Sequence, residues 1–147
     1  RPQTGDVTGE RMSHFTTVQT KIQNLLRLEL VLKELGFAYT KAEAHQLVHV
    51  KGYLGQKTKA QIVIHASKTY DIGVNINAET GLASFVADWE FVEMTAGFNQ
   101  EEFTRRVVQR YAYHTVKEEV QKRGYTLEEE KVDEQNHIHL KVASWSE

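Results

Sequence analysis

Cysteine is absent from the 147 residues. That omission removes thiol catalysis, disulfides, cysteine-held iron–sulfur clusters and cysteine zinc sites from consideration. Proline occurs once, at Pro2, so the rest of the chain meets no residue that fixes φ and removes a backbone donor. No apolar run approaches the roughly 20 residues of a membrane-spanning helix, and the opening residues lack the pattern of a secretory signal. Charge of one sign is not in excess: 18 basic against 20 acidic residues leave a net −2, which speaks against a globally basic nucleic-acid binder. The P-loop, the dinucleotide fingerprint and the nucleophile elbow are missing as motifs. These absences predict no membrane span and no cofactor, and they are compatible with a reducing compartment.

What is present divides at Met12. "RPQTGDVTGER" (residues 1–11) is polar and without periodicity, and reads as a disordered extension or a cloning remnant. Residues 12–147 are expected to form one α+β domain. "HFTTV" (His14 to Val18) reads as a short strand. Thr20 and Gln23 have capping-box spacing, and Ile22, Leu25, Leu28, Leu32 and Leu35 make one apolar stripe, ended by Gly36. A second helix, about two and a half turns longer, is predicted from Asn99 to Gly124. Glu102 lies near its start, and Phe103, Val107, Tyr111 and His114 or Thr115 line one face. Between the helices, "QLVHVKGY", "AQIVIHAS", "YDIGVNIN" and "LASFVADWEFV" read as strands. "YTLEEEKV" and "HIHLKV" make a closing hairpin.

The expected architecture is a two-layer α+β fold, a largely antiparallel sheet with two amphipathic helices on one face. It carries a candidate internal repeat. "VHVK" and "IHLK" each follow a glycine-stopped helix and an aromatic residue, with His49 in the slot of His139 and Lys51 in that of Lys141.

The ordered set "MSHFTTV" (Met12 to Val18), "KGY" (Lys51 to Tyr53) with Gln56, "YDIG" (Tyr70 to Gly73), "ADW" (Ala87 to Trp89), "QRYA" (Gln109 to Ala112), "RGY" (Arg123 to Tyr125) and "IHLKV" (Ile138 to Val142) resembles a conserved open-reading-frame family. That family belongs to cyanobacteria and red-algal plastids and is a domain of unknown function. The resemblance covers the whole domain and carries no assigned reaction or catalytic residue. It implies a setting in the cyanobacterial cytoplasm or plastid stroma, in a photosynthetic or redox-associated context. Its implied partner is a protein, with an ATPase or a ferredoxin as candidates.

Three constellations carry chemistry. His45 and His49, with His137 and His139, are spaced so that each pair shares a strand face. Joined by His65, they could hold a metal, although their other reading is the solvated side of a sheet. Asp71 and Asp88 lie in strand-like sequence where aspartate is disfavoured, so each is expected to answer a buried donor or to sit at a rim. The cations Arg105, Arg106, Arg110 and Lys117 of the second helix, with Lys51, Lys57 and Lys59 of "KGYLGQKTK", make the candidate interaction surface. No catalytic residue is assigned. The expected function is a non-catalytic protein-binding, assembly or regulatory module, with homo-oligomerisation as a candidate. The alternatives are a small metal-binding protein or enzyme on the four histidines, and a nucleic-acid binder on the basic helix face.

Overall fold

A computed structural model describes residues 14–43, 46–135 and 137–144. The expected extension at 1–11, His45 and Trp145 lie outside the described residues. The elements run β1 (Thr16–Gln19), α1 (Leu25–Glu34), β2 (Tyr39–Lys41), β3 (Val48–Lys51), β4 (Lys57–Ala60), β5 (Ile62–Ile64), β6 (Ile72–Ile76), β7 (Ala83–Ala87), α2 (Trp89–Ala96), α3 (Gln100–Lys122), β8 (Tyr125–Val132) and β9 (Ile138–Ser144). The fold is α+β, and every strand pairing is antiparallel. The strands are divided among three sheets: a five-stranded one ordered β1-β7-β6-β5-β2, the pair β3-β4 and the pair β8-β9. The described residues form two compact units, one drawn from 14–23 and 36–100, the other from 24–35 and 101–144.

The first unit holds the five-stranded sheet. Its central strands read as near-continuous apolar runs, and Ile62, Val63, Ile64, Ile72, Gly73 and Val74 are all buried, as expected where both faces of a sheet are covered. Val63, Gly73 and Val86 are aligned across β5, β6 and β7 and therefore share one face. The β3–β4 hairpin packs on that face through Val50 and Ala60, with Val63 beneath and Phe15 and Val48 at the margin. Only glycine fits at position 73. A Cβ there would stand 2.7 Å from Val50 Cγ2, 2.8 Å from the Ala60 Cβ and 3.0 Å from Val86 Cγ1.

Three local expectations are corrected. "AQIVIHAS" is not one strand. It breaks at Gln61, whose N–H donates to Val74 O and whose Oε1 accepts from the Ile76 N–H at 2.6 Å. The chain thereby turns from the hairpin into the large sheet. "LASFVADWEFV" is a strand only to Ala87, because helix α2 opens at Trp89 and stops on left-handed Gly97 (φ +86°). Helix α1 begins after Asn24, whose side chain accepts from the Arg27 N–H, and not at Thr20. Thr20 instead closes a turn, accepting from the Ile22 N–H and donating to Ala83 O at 2.6 Å. Ile22 thus extends the β1 edge and lies outside the helical stripe.

The second unit contains α1, α3 and the β8–β9 hairpin. Leu28, Val31 and Leu32 are buried on α1; Phe103, Val107 and His114 are buried on α3. Helix α3 has 23 residues against 10 for α1, a larger difference than the sequence suggested. Gly124, at φ +83°, ends it as a left-handed C-terminal glycine should. The two echoing segments occupy different places. "VHVK" is the first strand of its hairpin and "IHLK" lies in the second strand of its own, with β2, a strand of the large sheet, between Gly36 and "VHVK".

Candidate functional site

Strict alternation builds the β3–β4 hairpin. Val48, Val50, Thr58 and Ala60 turn toward the sheet, whereas His49, Lys51, Lys57 and Lys59 are exposed. The register pairs Lys51 with Lys57 and His49 with Lys59. Side chains directly opposite on an antiparallel pair lie about 4.5–5.5 Å apart at Cβ. The outer face is therefore a two-by-two array of three ammonium groups and one imidazole. None of the four forms an ion pair among the described residues. Lys51 Nζ lies 3.4 Å from Lys68 O.

The connecting turn is held from below. The Lys51 N–H donates to Asp71 Oδ2 at 2.9 Å, and the Asp71 N–H returns a bond to Lys51 O. The Gly52 N–H donates to Gln56 O, and the Tyr53 N–H donates to Asp88 Oδ2 at 3.0 Å. Both carboxylates are about 1% exposed. Asp88 stands at the N-terminal boundary of α2 yet makes no cap bond to its own helix; its carboxylate faces the hairpin. Tyr53 stacks on Phe91 of α2 with centroids 4.1 Å apart and planes 7° from parallel, and Tyr70 flanks the same ring at 5.6 Å. Gly52 receives the end of the Phe15 ring, which a Cβ would meet at 2.5 Å. At the tip, Leu54 is 74% exposed and adopts a left-handed conformation, φ 56° and ψ 38°, which costs a non-glycine residue about 1–2 kcal/mol.

The remaining candidate cations lie in the second unit. Arg105 and Arg106 are exposed. Arg110 is committed: it forks onto Glu34 with Nε at 2.9 Å and Nη2 at 2.7 Å, binds Glu130 through Nη1 and lies over the Tyr113 ring at 4.2 Å. That fork holds the Glu34 carboxyl below its usual range, aided by His114 Nε2 at 3.1 Å and opposed by partial burial. It also raises the Arg110 guanidinium. Lys117 Nζ stands 5.9 Å from the same tyrosine ring. Arg27 pairs with Glu118 at 2.7 Å, which raises the arginine and lowers the glutamate.

The histidines are dispersed. His49 is on the hairpin, and His45 is outside the described residues. His139 Nε2 lies 2.8 Å from Asp133 Oδ2, and His137 Nδ1 lies 3.7 Å from the same oxygen. The His139 bond is the main reason the Asp133 carboxyl falls to about 2, with the His137 N–H next. Among the described residues, no group of three or more His, Cys, Asp or Glu side chains could hold a metal ion. His65 joins a different set. Its Nδ1 lies 3.2 Å from Asp71 Oδ1 and its Nε2 2.8 Å from Thr40 Oγ1.

The motifs "KGY", "YDIG" and "ADW" thus converge on one turn, with the phenylalanine of "MSHFTTV" beneath it. A family model described as a protein of unknown function, DUF1257, matches residues 31–141. The chain belongs to the DUF1257 family. Among DUF1257 relatives, it is similar to the uncharacterized protein ycf35 of Guillardia theta, 33% identical over 91% of this chain and 98% of the relative. It is also similar to the uncharacterized protein ycf35 of Pyropia yezoensis, 30% identical over 92% of this chain and 99% of the relative. No solved structure matches this DUF1257 chain. The resemblance to a conserved plastid open-reading-frame family is the relationship these comparisons find. No helix among the described residues is long and apolar enough to cross a membrane.

Proposed function

We propose that this protein is a binding module that docks an acidic partner protein on the outer face of the β3–β4 hairpin. The observation that carries this reading is the unpaired array of Lys51, Lys57, Lys59 and His49 beside the exposed Leu54 tip. Like charges directly opposite on a strand pair destabilise it, and an anionic surface laid across them removes that cost. An apolar tip next to the cations suits a protein, where a side chain enters a small depression and surrounding carboxylates set register and association rate. Single-stranded nucleic acid would instead call for aromatic platforms among the cations; here Tyr53 is already stacked on Phe91. A ferredoxin, or an acidic docking face on an ATPase, meets the same chemical description, in a cyanobacterial cytoplasm or plastid stroma.

The test uses the full chain as bait in algal lysate, with Lys57→Glu/Lys59→Glu, Leu54→Asp and Arg105→Ala/Arg106→Ala variants in parallel. An acidic protein retained by the wild type and the arginine variant, and lost with either hairpin variant or at high salt, is the expected result. Equal retention by the hairpin variants, or retention abolished by nuclease, overturns the proposal.

A further inference from the structure

The contacts of His65 suggest an activity separate from hairpin docking. Thr40 on β2, His65 just after β5 and Asp71 just before β6 lie on one face of the large sheet. Thr40 pairs with Val63 and Val63 with Gly73; His65 and Asp71 are each two residues from those positions, so their side chains leave on the same side. Strand β2 is the sheet edge. The three side chains form a continuous hydrogen-bonded line, Asp71 Oδ1 to His65 Nδ1 at 3.2 Å and His65 Nε2 to Thr40 Oγ1 at 2.8 Å. Burial falls along the line: the Asp71 side chain is 2% exposed, the His65 side chain 39%, and Thr40 is exposed at the edge.

The proton arrangement follows from chemistry. A carboxylate only accepts, so His65 carries a proton on Nδ1, and in the neutral imidazole Nε2 then presents a lone pair. The Thr40 hydroxyl donates to that lone pair. Asp71 is itself fixed by the Lys51 N–H on its other oxygen, so the imidazole is held in one tautomer and one orientation. A hydroxyl on a base within hydrogen-bond reach, and that base on a buried carboxylate, is the arrangement that activates an alcohol nucleophile.

We propose that Thr40 is a nucleophile toward small activated carboxylic esters, with His65 as its general base and Asp71 as the residue that positions the base. Thr40 Oγ forms a bond to the acyl carbon while its proton passes to His65 Nε2. The bond from that carbon to the leaving oxygen breaks, and the proton is returned to the departing alkoxide. The product is an acyl ester on Thr40 and a free alcohol, with no change in oxidation state. The exposed edge position matches a short, unencumbered acyl group.

The experiment incubates the full chain with p-nitrophenyl acetate and follows acetylation of individual residues by peptide mass spectrometry. Thr40 is expected to acetylate in the wild type and in Thr40→Ser, which keeps the hydroxyl, and the Thr40→Val peptide is expected to stay unmodified. His65→Gln is expected to slow the step by roughly 100-fold or more, the low end for loss of a general base. Asp71→Asn can still accept from the Lys51 N–H, but its amide donates to His65 and inverts the tautomer. It is therefore expected to lose Thr40 acetylation while keeping the wild-type circular dichroism. Acetyl groups confined to lysines, or Thr40 acetylated equally fast without His65, overturns the proposal.

Discussion

Replacing Gly73 by alanine adds one methyl group at the point where the hairpin meets the sheet. Its backbone lies in ordinary strand β6 and not in the left-handed region, so the substitution introduces no dihedral strain. Reducing the freedom of the unfolded chain would by itself stabilise by about 0.4–1 kcal/mol. Packing acts the other way. The new carbon would lie 2.7 Å from Val50 Cγ2, 2.8 Å from the Ala60 Cβ and 3.0 Å from Val86 Cγ1. The Ala60 Cβ is fixed by its own backbone and cannot rotate aside; Val50 is fully buried and β-branched, with little rotamer freedom. The hairpin must therefore lift. Overpacking a core costs about 1–3 kcal/mol. With two of three contacts unable to yield by rotation, the net loss is about 2 kcal/mol.

Near 150 residues, each kcal/mol shifts Tm by about 2–4 °C, so Gly73→Ala should melt about 4–8 °C lower and unfold at lower urea. Val50→Ala removes the nearest clashing atom and by itself leaves a cavity. The pair should therefore be less destabilised than the sum of the singles by about 1 kcal/mol, a coupling expected only of residues in contact. A Gly73→Ala protein as stable as the wild type, or a strictly additive pair, would show that the hairpin does not sit on this face.

The other predictions concern buried and paired charge. Asp88→Ala should cost about 1–3 kcal/mol by urea unfolding, because the Tyr53 N–H loses its acceptor; Asp88→Asn, which keeps an acceptor oxygen, should recover most of it. Glu34→Gln breaks the fork with Arg110 and should cost about 1 kcal/mol at neutral pH, the screened value for a partly exposed pair. The folded Glu34 carboxyl lies below its ordinary value of 4.5. Its contribution is therefore present above pH 4.5 and lost as pH falls through the lowered folded value, and the gap between variant and wild type should close in acid. Asp133 should titrate near pH 2 by carbon NMR, moving up toward the ordinary aspartate range in His139→Ala.

Local grammar was legible in the chain, and tertiary convergence was not. The glycine stops at Gly36 and Gly124 and the alternation of "VHVK" follow from short-range rules, and the structure contains them. Helix α2 was hidden because "WEFV" is aromatic and β-branched and reads as strand. Its punctuation, Asp88 before and Gly97 after, was nevertheless available in the sequence. That Asp71 and Asp88 would answer buried donors was foreseeable from aspartate in strand-like sequence. That the donors would be the alternate N–H groups of Lys51 and Tyr53 was not, since it depends on a hairpin folding over the sheet. Arg110 misled for the same reason: its polar helix face looked open, and its partners Glu34 and Glu130 come from other elements. Thr40, His65 and Asp71 are separated by 25 and 6 residues and match no motif.

The hairpin gathers several unfavourable features into one short stretch. Lysine faces lysine across the strands, leucine adopts a left-handed conformation at an exposed tip, and two carboxylates are taken out of water to hold backbone N–H groups. At Asn24, Gly36 and Gly124, by contrast, cap and stops agree with local preference, and the concentration of unfavourable features in the hairpin supports the docking role proposed for it. Rigidity explains how these features work together. A loose loop of lysines would give up conformational freedom on meeting a partner, whereas this turn is already fixed at Lys51, Gly52 and Tyr53. Preorganisation lowers the entropic cost of association and keeps the ammonium groups at a set spacing. The buried aspartates thus act at a distance from any partner, by fixing where the cations stand.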